Sequence, residues 1–109
     1  MTVKAMEMTA EPSDGGRKPY SQMTVLVVDA IDIVRETVAT MLRDMGFGQV
    51  LQAANGEYAL SMLVLKPVDL ILSEWQMPKM DGMELLGKIR ADKKHSRIPF
   101  IMLSSIIEQ

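Results

Sequence analysis

At 109 residues, with 48% apolar and 24% charged side chains, the chain has room for one domain with a single core and too little for two. A formal net charge of −2 gives no general attraction to nucleic acid or an anionic membrane, and the lack of cysteine excludes disulfides, thiol nucleophiles and thiolate metal sites. No apolar run approaches the roughly 20 residues of a membrane span and the N-terminus lacks a signal peptide's apolar core, so the expected location is cytoplasmic.

Residues 1–22 mix Glu11-Pro12, Asp14-Gly15-Gly16 and Lys18-Pro19 without periodicity and are expected to form a disordered tail ahead of one domain over 23–109. Met23 is a second candidate translation start beside Met1. Thr24 to Val28 is an unbroken β-rich run ending at Asp29, as a strand buried on both faces requires. A helix follows, with Asp32 expected as its N-cap and Val34, Val38, Met41, Leu42 and Met45 as its apolar stripe up to Gly46. Val50 to Ala53 reads as a second strand. Asn55-Gly56 then turns the chain into a second helix that carries Tyr58, Ala59, Leu60, Met62, Leu63 and Leu65 and stops before Pro67. Asp69 to Ser73 is the third strand, and it breaks at Glu74 into a polar loop closed by Pro78 and Asp81-Gly82. A third helix, about Met83 to Ala91, sets Leu85, Leu86 and Ile89 on one face, and Pro99 to Leu103 makes a fourth strand ending at Ser104-Ser105. His95, the only histidine, lies beside Asp92 and Ser96 in a solvated, largely basic turn and is given a surface role. The chain has 11 methionines, and most of those beyond the tail fall on apolar faces and read as packing.

The order βαβαβαβ implies an α/β fold with a parallel sheet and right-handed helical crossovers. The first strand leads into Asp29-Ala30-Ile31-Asp32 with no glycine-rich phosphate loop, which argues against a nucleotide enzyme. Ligands in open parallel sheets collect beyond the carboxyl ends of the strands, where Asp29 and Glu74 would share one pocket with Ser104 beside them. Two carboxylates plus a backbone carbonyl such as that of Gln76 are hard oxygen ligands of the kind magnesium prefers, and such a pocket suits phosphoryl transfer.

Leu26-Val27-Val28-Asp29, Asn55-Gly56 with Ala59-Leu60, Asp69-Leu70-Ile71-Leu72, Met77-Pro78-Lys79-Met80-Asp81-Gly82-Met83-Glu84-Leu85-Leu86 and Pro99-Phe100-Ile101-Met102-Leu103-Ser104 together resemble the receiver domains of bacterial response regulators, over residues 24 to 109. The resemblance implies a flavodoxin-like doubly wound sheet of strand order 2-1-3-4-5 that lacks the last helix-strand-helix of a full receiver. It also implies phosphoryl transfer from a kinase histidine to an aspartate after the third strand, with magnesium held by that aspartate, an acidic pair and a carbonyl. A hydroxyl after the fourth strand and a lysine after the fifth then grip the phosphate. Carried onto this chain, Asp29 matches the first acid, Gln76 the carbonyl donor, Ser104 the switch hydroxyl and Glu74 the phosphoacceptor position.

Three departures bear on that chemistry. Ala30 stands where the second acid belongs, Glu74 replaces the aspartate, and no lysine of a fifth strand is present. One extra methylene moves a carboxylate by about 1.5 Å, enough to matter where catalysis depends on positioning. The expectation is therefore a degenerate receiver that is not an enzyme, binds no cofactor or only weak Mg2+ through Asp29, Glu74 and Gln76, and works by protein binding without aspartate phosphorylation. Its partner would be a histidine kinase, a phosphotransfer protein or an output protein, with Glu74 imitating a phosphorylated aspartate or marking a dead pocket. The fourth strand would be an apolar edge, giving a homodimer or exchanged segments. The alternatives are a weak magnesium-dependent phosphoryl acceptor, using Glu74 or a displaced carboxylate such as Asp32, and the N-terminal piece of a longer regulator.

Overall fold

The computed structural model describes residues 2–7 and 18–106, with side chains for 18–103. Its elements are β1 (Thr2–Glu7), β2 (Thr24–Val28), α1 (Asp32–Asp44), β3 (Gln49–Ala53), α2 (Gly56–Leu65), β4 (Leu70–Glu74), α3 (Gly82–Ala91) and β5 (Phe100–Ile106). The strands form one sheet in the order β1-β5-β4-β2-β3. Strands β2 to β5 run parallel, as the helical crossovers require, and β1 pairs antiparallel with β5.

Alternation along the central strands sends two sets of side chains to two faces. Leu26, Val28, Ile71, Phe100 and Met102 join Ala59, Leu63, Leu85 and Ile89 from α2 and α3 in the larger core. Val25, Val27 and Leu72 join Leu42 of α1 in the smaller one. The reading of β2 as a strand buried on both faces is met, since Val25, Leu26, Val27 and Val28 are all buried.

Each helix start has a local cause, and one differs from expectation. Asn55 caps α2 by accepting the Tyr58 N–H at 2.8 Å. Asp81 caps α3 through a capping box in which it accepts the Glu84 N–H at 2.8 Å while Glu84 turns back to the Asp81 N–H. Asp32 is not the cap of α1: Ile31 holds that position without a side-chain bond, and Asp32 is the first helical residue. The nearby N–H of Ile31 goes instead to Asp29 Oδ1 at 2.8 Å.

Further corrections come from long-range contacts that local sequence does not carry. The segment expected as a tail contributes β1 at one end, while at the other Tyr20 stacks on Phe47 with ring centroids 4.5 Å apart and Lys18 pairs with Asp69 at 3.0 Å. The physical reason is the edge of β5, whose open N–H and C=O groups are satisfied by β1. His95 is not a surface residue: its side chain is 16% exposed, its Nδ1 lies 3.1 Å from Asp92 Oδ2, and its Nε2 lies 3.1 Å from the Leu63 carbonyl. It ties the end of α2 to the turn before β5. The third predicted strand extends through Glu74, and the fourth runs to Ile106, so Ser104 lies inside β5 rather than just past it.

Candidate functional site

The site lies at the carboxyl edge of the sheet. Val28 and Ser73 are partners across the β2–β4 pair, so Asp29 and Glu74 follow them at the same level on adjacent strands. Glu74 is in register with Leu103, which sets Ser104 one residue further along on the next strand. Asp29, Glu74 and Ser104 are thus brought to one edge, as the sequence anticipates. Glu74 is half-buried and Gln76 exposed in the succeeding loop.

Asp29 is 5% exposed. Burial pushes its carboxyl above the ordinary value, against the opposing pull of the Ile31 N–H and the Arg35 charge. Arg35 is a site residue absent from the sequence-based expectation. One turn into α1 and 15% exposed, it donates to the Asp29 carbonyl at 2.8 Å, to Asp32 Oδ1 at 2.8 Å and to Gln52 Oε1 at 3.1 Å. Its planar fork suits several acceptors at once. The spacing of Asp32 and Arg35, three apart on a helix, was the available signal. Gln52 in turn donates to Glu36 at 2.8 Å, which holds that exposed carboxyl below its ordinary value.

The loop after Glu74 is held by close approach to α3. Gly82 donates to the Trp75 carbonyl at 2.7 Å, and a Cβ on Gly82 would come within 2.6 Å of the Glu74 carbonyl. Only glycine lets the helix start this near the strand end. Lys79 sits in the left-handed region at φ 69°, at the turn of the loop. A cleft of about 230 Å³ is lined by Ala30, Asn55, Glu57, Pro78, Lys79 and Met80 among others, and neither Asp29 nor Glu74 lines it. The Ala30 methyl therefore forms wall where an acid would have offered oxygen.

The donor set for a cation is thin. Asp29, Glu74 and the Gln76 carbonyl are the groups that could serve, and no cluster of three or more His, Cys, Asp or Glu suited to a metal occurs among the described residues. Magnesium bound there would keep most of its water.

The family model for the response regulator receiver domain matches residues 25–109. Chemotaxis protein CheY-3 of Vibrio cholerae is 37% identical over 83 residues, covering 76% of this chain and 64% of that protein. Chemotaxis protein CheY of Pseudomonas aeruginosa is 35% identical, covering 76% of this chain and 67% of that protein. The chain thus spans a little under two thirds of the Vibrio relative's length. Among solved structures, a response regulator receiver protein from Pseudomonas putida superposes with a TM-score of 0.72 at 25% identity, covering 80% of this chain and 71% of that one. The response regulator TrrA of Thermotoga maritima, solved in complex with Mg(2+)-BeF, gives 0.63 at 34% identity, covering 67% of this chain and 63% of that one.

Proposed function

The chain belongs to the response regulator receiver family, and we propose that within it this is a degenerate member that signals by protein binding without phosphorylation of an aspartate. Receiver domains are signalling modules that engage signalling partners. The partner here is a histidine kinase, a phosphotransfer protein or an output protein, and the work is cytoplasmic. The observation that carries the reading is the combination of Glu74 and Ala30: the acceptor position holds a longer carboxylate, and the position after Asp29 holds a methyl group in place of a second acid. Glu74 supplies a permanent single charge where a phosphorylated aspartate would supply nearly two charges and three acceptor oxygens. Asp29, Glu74 and Gln76 hold magnesium weakly or not at all, and Ser104 keeps the position of the switch hydroxyl. β1 of the same chain occupies the edge of β5, so a homodimer through that strand forms by exchange of β1 between copies. Intact-mass measurement after incubation with acetyl phosphate and magnesium tests the central point. No phosphoryl adduct is expected, and a substantial adduct mapping to Glu74 would overturn the reading.

A further inference from the structure

α2 is apolar almost all round: between Tyr58 and Leu65 only Ser61 breaks the run. A helix of that composition is ordinarily enclosed on every side, yet α2 buries Ala59 and Leu63 and leaves Val64 76% and Leu65 79% exposed at its last turn. The turn before β5 lies against the same end of the helix, because His95 Nε2 is 3.1 Å from the Leu63 carbonyl. Residues 88–97 hold five of the chain's 12 lysines and arginines and one of its 14 acidic residues, although the net charge is −2. Arg90 is occupied as a strut on the Ile98 carbonyl at 2.8 Å, but Lys93, Lys94 and Arg97 are exposed, as is Lys66 next to Leu65. These four side chains form no ion pair among the described residues. Asp92, the one acid of this stretch, is engaged within the turn. It accepts the Lys94 N–H at 2.9 Å and lies 3.1 Å from His95 Nδ1, which together hold its carboxyl below the ordinary value. An exposed apolar pair thus stands beside a cluster of open cations where α2 leads to β4 and the turn leads to β5, at the amino edge of the sheet.

We propose that this patch docks an acidic segment of a protein partner, whose aliphatic side chains pack on Val64 and Leu65 while its carboxylates face Lys66, Lys93, Lys94 and Arg97. Carboxylates gain from cations that have no partner of their own, and burial of the apolar pair supplies affinity that surface charge alone does not. His95 and Asp92 hold the turn in place before anything binds, which lowers the ordering cost of association. A phosphate backbone would leave the aliphatic pair unused. An anionic bilayer is a flat surface that meets the rest of the molecule as well, and the rest is net acidic. The patch lies at the opposite end of the sheet from Glu74, so its binding stands whether or not Glu74 accepts a phosphoryl group.

The probe is a short synthetic peptide with a leucine pair flanked by glutamates, titrated with the full chain by fluorescence anisotropy. Saturable binding is expected, weakened several-fold on going from low to physiological salt. Lys93→Glu with Lys94→Glu is expected to lower the affinity about tenfold, and Val64→Ser with Leu65→Ser by a similar factor. All four residues are exposed, so both variants should unfold close to the temperature of the unmodified chain. Amide NMR shifts give a reading that needs no variant: the peptide should move the signals of residues 63–66 and 93–97 and leave those of 73–76 in place. Binding that survives both pairs of substitutions, equal binding of a lysine-flanked leucine peptide, or shifts centred elsewhere would overturn the docking site. So would the absence of saturable binding, and attachment to phosphatidylglycerol vesicles in that case would assign the patch to a lipid surface instead. Labelling by acetyl phosphate reads Glu74 separately, so either reading can fail without the other.

Discussion

The two faces of the sheet are built from the same alternating strands yet are covered unequally. On one, α2 and α3 close over Leu26, Ile71, Phe100 and Met102, all 0% exposed. On the other, α1 alone buries Val25, Val27 and Leu72, leaving Leu70, Ile101 and Leu103 half-buried and Met41 and Met45 each 59% exposed. Stability and recognition are divided accordingly. The doubly covered face holds the domain together; the singly covered face carries Asp29 and Glu74 at its upper end and leaves apolar surface beside them.

The sharpest break of that asymmetry is Phe100→Ala, which empties a site with no exposure. It is expected to cost about 3–5 kcal/mol in urea unfolding, enough to unfold most of a marginal domain. Its neighbour on the other face, Ile101→Ala, should cost roughly 1–2 kcal/mol, because part of its side chain is already in water. Equal costs at the two positions would show the faces to be equally closed.

A smaller effect separates local from tertiary stabilisation. Asp81→Ala removes the cap of α3 and should cost about 1 kcal/mol, with a change in Trp75 emission as the loop beside Glu74 loosens. Met41→Lys with Met45→Lys should change stability by less than about 0.5 kcal/mol, since both already face solvent. A larger loss would mean that α1 uses them for packing.

The remaining expectation is one of sign. The folded pKa of Asp29 is raised by burial, so its charge opposes folding above that pKa, and the opposition fades as pH falls toward the unfolded value of about 3.9. Asp29→Asn keeps an oxygen for the Ile31 N–H and should raise the thermal midpoint at pH 7, with an advantage that shrinks on acidification to about pH 4. A midpoint lowered at pH 7 would show that Arg35 and Ile31 outweigh the burial.

Short-range physics made much of this molecule legible in its residues. Apolar runs too long for alternation marked the buried strands, Asn55 and Asp81 announced their helices, and the loop from Met77 to Gly82 carried enough detail to identify the family. Asp29 and Glu74 could be placed at one edge because parallel strands with helical crossovers leave no other arrangement. Contacts between distant segments decided the rest. Asp32 has the chemistry of a cap but lies one residue inside the helix, with Ile31 at the cap position and its own carboxylate accepting from Arg35. His95 has polar neighbours in sequence, and its anchoring partner, the Leu63 carbonyl, lies 32 residues away. The segment Thr2–Glu7 has no periodicity strong enough to announce a strand. It becomes one because β5, about 100 residues later, offers an edge whose hydrogen-bonding groups need partners.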